Sequence, residues 1–317
     1  MTLLAARVRS GLVETTHDGV VAISRPDGSL VAWSGDIDRP FYLRSSAKPF
    51  QAYVSQMSGA GLEPIQLAMA AASHRGLPVH VAIVDSVLAR AGLSARDLRT
   101  PPDWPISGQA ARHRVRTGER SPRRIWHKCS GKHAGFLRAC VAQGWPTDTY
   151  LAPEHPLQRR IVAVVSELGE HPVEPLGVDG CGAPVLKTTA RAMSLLFARF
   201  AAEPAFVEVR AVMHRYPALI ASNGEGDSLI ATAINAVAKG GAQGCIGVSV
   251  GSRLGVAAKS WDGLMDVAEV AAVAALDAVD ELSRPAAMYL EKVGRPDVVG
   301  GGEVVGSTES RLELEFV

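Results

Sequence analysis

Ser45-Ser46-Ala47-Lys48, followed by Pro49, sets an amine one helical turn from a hydroxyl. At that spacing a serine can be activated as a nucleophile by an amine in place of a histidine. The helix that would carry it is readable in the next dozen positions. Phe50, Tyr53, Val54 and Met57 share one face, and Gly59 and Gly61 end the run. Pro49 is tolerated only in a first turn, where backbone N–H groups lack intrahelical partners. Ser45 is therefore expected at or just before the helix N-terminus, where free N–H groups and the helix dipole favour a developing oxyanion. Taken alone, Ser-x-x-Lys is a common pattern of surface helices.

Two further constellations have the composition of a site. Ser73-His74 ends a helix expected over Pro64 to Ala72. Ser73 there is suited to passing a proton between a lysine and a leaving group, or simply to capping the helix. Cys129 and Lys132 lie three apart at the start of another helix, and Cys181 sits in the glycine-bracketed turn Asp179-Gly180-Cys181-Gly182-Ala183-Pro184. Two thiolates, a third ligand and water suit zinc, at about 2.3 Å per sulfur. His127 and His133 are the ordinary candidates for the third ligand, while unrelated core thiols are the commoner fate of cysteines so far apart. Cys140 and Cys245 sit in apolar runs and read as core thiols. Lys259 lies late in a hairpin; edge-strand lysines are usually solvated, but Ser-x-x-Lys hydrolases face a second lysine on such a strand toward the serine.

Periodicity and turn chemistry outline the scaffold for these groups. Val20 to Ile23 and Leu30 to Trp33 flank Arg25-Pro26-Asp27-Gly28, a strong hairpin turn. Cys245 to Val250 and Leu254 to Trp261 form a second hairpin around Gly251-Ser252-Arg253. Helices are expected over 80–91, 94–98, from Cys129 to Gln143, Pro156 to Leu168, Val185 to Phe200 and 262–282, with 100–128 as loop. Strands at both ends with helices between predict an α+β fold. Its single domain, 1–317, would build an antiparallel sheet from N- and C-terminal strands, flanked by helices, around a helical insert of about 45–240. The alternating βαβ pattern of a nucleotide-binding sheet is missing, and Gly300-Gly301-Gly302 follows no strand–helix junction that would make it a phosphate loop.

Composition bounds the function. At 317 residues, 47% hydrophobic and 21% charged, the chain can bury a large core. A net charge of +1 argues against nucleic acid as the main partner. Six arginines between Arg112 and Arg124, interleaved with Gly118, Ser121 and Pro122, read as an exposed loop. No basic-then-apolar segment opens the chain, and no uncharged apolar run reaches the length of a membrane helix. No membrane partner is expected, and the cytoplasm is the default compartment. Four cysteines in that setting are expected as free thiols or metal ligands.

Arg44-Ser45-Ser46-Ala47-Lys48-Pro49-Phe50, Ala72-Ser73-His74, Cys129-Ser130-Gly131-Lys132-His133-Ala134-Gly135 and Asp179-Gly180-Cys181-Gly182-Ala183-Pro184 occur in this order. Together they resemble the thermolabile, Rhizobium-type L-asparaginases over about residues 5 to 300. The resemblance implies a serine β-lactamase/glutaminase-like fold and hydrolysis of L-asparagine to L-aspartate and ammonia. It implies Ser45 as nucleophile, Lys48 as its base, Ser73 as a second catalytic serine and Lys259 as the second lysine. It also implies zinc (Zn2+) held by Cys129, Lys132 and Cys181, with a lysine amine as an unusual ligand. Asp179 matches a residue close to metal and substrate, and Arg44, His74 and Asp179 are the substrate-binding candidates. Arg44 or Arg253 would take the α-carboxylate and Asp179 or Asp227 the α-ammonium; the sequence does not choose. Two departures bear on substrate choice: Arg75-Gly76-Leu77 brings no carboxylate after Ser73-His74, and Ser222 to Asp227 matches the family's turn loosely. The alternatives are a β-lactamase-like acylase or amidase, and a silent zinc or small-molecule binder. A homodimer is the expected assembly, as the commonest soluble oligomer.

Overall fold

Apolar residues alternate between two faces of the central strands, and that alternation explains the layering. Along one strand Val20 and Ala22 join one core cluster while Val21 and Ile23 join another. A neighbouring strand does the same, with Ala257 on the first side and Val256 and Ala258 on the second. The sheet is thus covered on both faces, unlike an antiparallel sheet with one face in water.

The structure, a computed structural model, describes residues 2–221 and 224–317. The strands are β1 (Thr2–Arg9), β2 (Leu12–Ser24), β3 (Leu30–Ser34), β4 (Phe41–Tyr42), β5 (Pro175–Val178), β6 (Pro184–Thr188), β7 (Val237–Gly241), β8 (Cys245–Val250), β9 (Leu254–Ser260), β10 (Asp297–Gly300), β11 (Glu303–Ser310) and β12 (Glu315–Phe316). The main sheet runs β10-β11-β1-β2-β9-β8-β7, with β3 and then β12 on the same edge of β2 as β1. Its pairings are antiparallel, and the N-terminal strands meet the C-terminal ones where Gly19 of β2 faces Ser260 of β9. On one face the helix Ala190–Ala202 packs Phe197 against Gly247 of β8. On the other lies the helix Met265–Ala278, whose Val267, Val270, Ala271 and Leu276 are fully buried.

A second, three-stranded sheet, β4-β6-β5, positions chemistry. β4 leads directly into the Ser45 turn, anchored where Leu43 N–H donates to Leu186 O at 3.0 Å. The β5–β6 connection carries Asp179 and Cys181, so pairing of β4 with β6 brings the two turns together.

The expected α+β architecture, with terminal strands in one antiparallel sheet, is the one found. Several local expectations are corrected. Residues 185–188 belong to β6, and the helix begins at Ala190 because Thr189 caps it, accepting from Ala192 N–H at 3.2 Å. The stretch expected as loop contains a helix, Gly108–Arg116, started by Ser107, which accepts from Ala110 N–H at 3.3 Å. Residues 94–98 form turns, with Asp97 Oδ2 accepting from Ser94 N–H at 2.8 Å. All four cysteines are free and buried. Among the described residues no helix is long and apolar enough to cross a membrane.

Candidate active site

Residues Arg44–Ala47 form a 3-10 turn that passes without a break into the helix Lys48–Ser55, with Pro49 in its first turn. Phe50 anchors the helix through edge-on contacts with Phe197 and Phe200, at 5.5 and 5.3 Å between centroids. Arg44, just before Ser45, has φ +50°, a left-handed conformation costly for a side-chain residue. Its guanidinium is tied to Asp179 Oδ1, Nε at 2.9 Å and Nη2 at 2.8 Å. Strand β7 closes in from the other side. A Cβ on Gly241 would fall 2.6 Å from Leu43 O and 3.0 Å from Ser46 Oγ, so only glycine lets the strand lie against the turn.

Lys48 is 1% exposed, and its Nζ donates to Ala72 O at 2.6 Å and to Ser73 Oγ at 2.8 Å. Both acceptors are neutral. Burial lowers its pKa to about 8, with Lys132 and Lys239 pushing the same way and Cys129 opposing. About a tenth of the amine is therefore neutral at pH 7.

Ser45 and Ser73 open onto one cavity of about 220 Å3. Arg75, Lys128, Glu225 and Asp227 contribute to its walls, as do Lys239 on β7 and Glu269 on the Met265–Ala278 helix. Lys239, 2% exposed, is ion-paired with Asp227, whose Oδ1 also accepts from Gly240 N–H at 2.9 Å.

Behind the nucleophile turn lies the thiol cluster. Lys132 Nζ donates to Cys181 Sγ at 3.2 Å, and Cys129 is close enough to act on the Cys181 thiol electrostatically. The Cys129 thiol, followed by the Lys132 ammonium, holds Cys181 far on the thiolate side, while Cys129 itself is pushed up. Beside Lys132, the fully buried His133 binds Tyr150 Oη through Nδ1 at 2.8 Å and leaves Nε2 without a hydrogen-bond partner among the described residues. Burial lowers its pKa to about 4, so a neutral ring with a spare nitrogen adjoins the sulfurs. Among the described residues no three His, Cys, Asp or Glu side chains converge as a metal site. A metal here would require Lys132 as a ligand. Donors sharing a tetrahedral zinc lie roughly 3.5 Å apart, close to the Lys132–Cys181 separation, so these residues fit the ion.

The L-asparaginase II family model matches residues 5–310. The chain belongs to the L-asparaginase II family. No curated protein matches it. Among solved structures, Mglu in its native form is similar at 17% identity over 86% of this chain, with TM-score 0.46. The chain spans 66% of Mglu, just under two thirds of its length. A Bacillus subtilis glutaminase, YbgJ, in covalent complex with 5-oxo-L-norleucine, is similar at 14% identity over 88% of this chain and 93% of its own, with TM-score 0.38.

Within this member of the L-asparaginase II family, the residues singled out by sequence divide into three groups. Ser45, Ser73 and Asp227 line the cavity, with Lys48 bonded to Ser73 from beneath, and Cys129, Lys132 and Cys181 come together behind it. The third group does not line the cavity. Lys259 donates to Gln243 O at 2.8 Å and to Ser260 O, and lies over the Trp261 ring. His74 is fully buried: Nδ1 accepts from Gly76 N–H at 3.1 Å, so the neutral ring donates from Nε2 to Ser130 Oγ at 2.8 Å. Arg44 and Asp179 neutralise each other, and Arg253 pairs with Glu281 elsewhere. Ser222 and Asn223 lie outside the described residues, and Leu77 lines a different surface cavity. Sequence reasoning passed over Lys239, Lys128, Arg75, Glu225 and Glu269. Lys239-Gly240-Gly241, after the apolar Ala236-Val237-Ala238, was a usable signal: a lysine on a short strand ended by two glycines.

Proposed function

We propose that this protein hydrolyses L-asparagine to L-aspartate and ammonia, with Ser45 as nucleophile and Lys48 as its base. The observation that carries this reading is Lys48, buried and partly neutral, 2.8 Å from Ser73 Oγ at a cavity that Ser45 also lines. Neutral Lys48 accepts the Ser45 proton as Oγ attacks the side-chain amide carbon. The oxyanion rests on backbone N–H groups of the Ser45 turn and of the adjoining end of β7. Ser73 passes the proton from Lys48 to the departing nitrogen, the C–N bond breaks, and an aspartyl ester remains on Ser45. Water then gives a proton to Lys48, attacks the ester and releases L-aspartate, and Ser45 regains its proton.

In this reading Lys239, not Lys259, is the second lysine, because Lys239 lines the cavity with Ser45 and Ser73 and Lys259 does not. Cys129, Lys132 and Cys181 would hold zinc, and His133 stands ready beside them. Bound there, the ion would supply fixed positive charge that orders the turn carrying Asp179. Asp179 would in turn hold Arg44, and with it the strained start of the nucleophile turn.

Ammonia release from L-asparagine by the purified protein, beside a Ser45→Ala control, tests the proposal. Asparagine-dependent ammonia that disappears in the control supports it. Ammonia that persists in Ser45→Ala would remove Ser45 from the reaction. Silence toward L-asparagine with hydrolysis of another amide would keep the amidohydrolase and change its substrate.

A further inference from the structure

The cavity beside Ser45 is walled by charges, and most are already matched. Glu225 Oε1 accepts from Arg75 Nη1 at 2.6 Å. Asp227 is taken by Lys239 and by the Gly240 N–H. Two lining groups of opposite sign remain, Lys128 and Glu269, neither with an ion-pair partner among the described residues.

Glu269 lies in space that the missing side chain of Gly226 leaves open. A Cβ on Gly226 would fall 2.2 Å from its Cδ and 2.3 and 2.6 Å from its two oxygens. Only a glycine at 226 lets that carboxyl occupy its place at the cavity wall. Burial, reinforced by Asp227, Glu225 and Asp266 and opposed by Lys239, raises its pKa to about 8. Arg44 and Asp179, which would otherwise read a zwitterion, are spent on each other.

We propose that Glu269 holds the α-ammonium and Lys128 the α-carboxylate of the substrate, so that the cavity selects free α-amino acids bearing a side-chain amide. This rests on the Ser45-centred reading of the site and adds the groups that recognise its substrate. Simple amides and asparagine within a peptide lack one or both charges and would leave Glu269 or Lys128 unmatched.

Three substrates separate the two contacts: L-asparagine, succinamate (no ammonium) and 3-aminopropanamide (no carboxylate). Glu269→Gln is expected to lower kcat/KM for L-asparagine about 10- to 100-fold, through KM, the range of a charge-assisted hydrogen bond. Its effect on succinamate should stay within about 3-fold, because the lost partner has nothing to bind there. Lys128→Met should act in mirror image, sparing 3-aminopropanamide. Equal losses on all three substrates, with melting curves unchanged, would make both residues structural and overturn the proposal. Calorimetric binding of L-asparagine to Ser45→Ala, with and without Glu269→Gln, reads recognition apart from turnover. If the wild type proves silent on L-asparagine, the asparaginase reading fails while this one is judged on L-glutamine. Weaker L-glutamine binding after Glu269→Gln would uphold it; binding of neither amino acid would end it.

Discussion

Lys48 and Lys132 are 1% and 3% exposed, yet their proton affinities move in opposite directions. Lys48 meets a carbonyl and a hydroxyl, so burial prevails and its pKa falls to about 8. Burial pulls on Lys132 too, but Cys181, Cys129 and Asp179 outweigh it and its pKa rises. Burial alone therefore does not assign a role to a lysine. A neutral neighbourhood suits one to the proposed role of base, and an anionic one holds the other as a cation or, once deprotonated, suits it to donate to a metal.

Replacing Lys48 breaks the comparison at its catalytic end. Lys48→Met should lower kcat on the order of 10^3-fold, as expected for loss of a general base. The same variant should melt no lower than the wild type at pH 7. The folded-state pKa of Lys48 lies below its unfolded value, so its stabilising contribution is complete only above the ordinary lysine range. That contribution is lost as pH falls through about 8, and methionine removes the loss. A few per cent of residual kcat, or a collapsed melting temperature, would contradict this account of Lys48.

At the other end, Lys132→Met should abolish stoichiometric zinc, or weaken zinc binding at least ~100-fold, scored by metal determination after equilibrium dialysis. Full zinc content in the variant would reassign the third ligand to a histidine. A pH profile sharpens the contrast without mutation. With neutral Lys48 as the proposed base, kcat/KM should climb toward a plateau above pH of about 8, losing roughly tenfold per unit below it. A profile flat from pH 6 to 9 would mean Lys48 is not the titrating base. The smallest effect is expected at Lys259→Met, within about 3-fold in kcat, against a loss of ~100-fold or more at Lys239→Met. Reversed magnitudes would return the second-lysine role to Lys259.

Much of the architecture was legible because its signals are local. The Asp27-Gly28 turn, the period-two apolar runs and the Gly251-Ser252-Arg253 turn mark β2, β3, β8 and β9 directly. Ser45, Lys48 and Ser73 were legible from spacing and turn position. Lys239 was missed although two glycines mark its strand, because what they permit, the close approach of β7 to Leu43 O, is a contact between segments far apart in sequence. Glu269 was hidden for a different reason. It falls inside the Ala/Val-rich run of the Met265–Ala278 helix, where its role depends on Gly226, far away in sequence. Residues 185–188 were misread because the apolar run across Val185 and Leu186 suits helix and strand alike, and the Thr189 cap decides the boundary.

The sheet that joins both ends of the chain also sets an order of assembly. β2 is apolar on both faces, yet the strand that completes its pairing, β9, emerges from the ribosome only after the whole helical insert. Until then the β1–β3 segment has an unpaired edge and no cover on either side, a condition that invites association with other chains. Contacts as distant as Gly19 with Ser260 raise the contact order of the fold, so slow refolding with early aggregation at high protein concentration is expected.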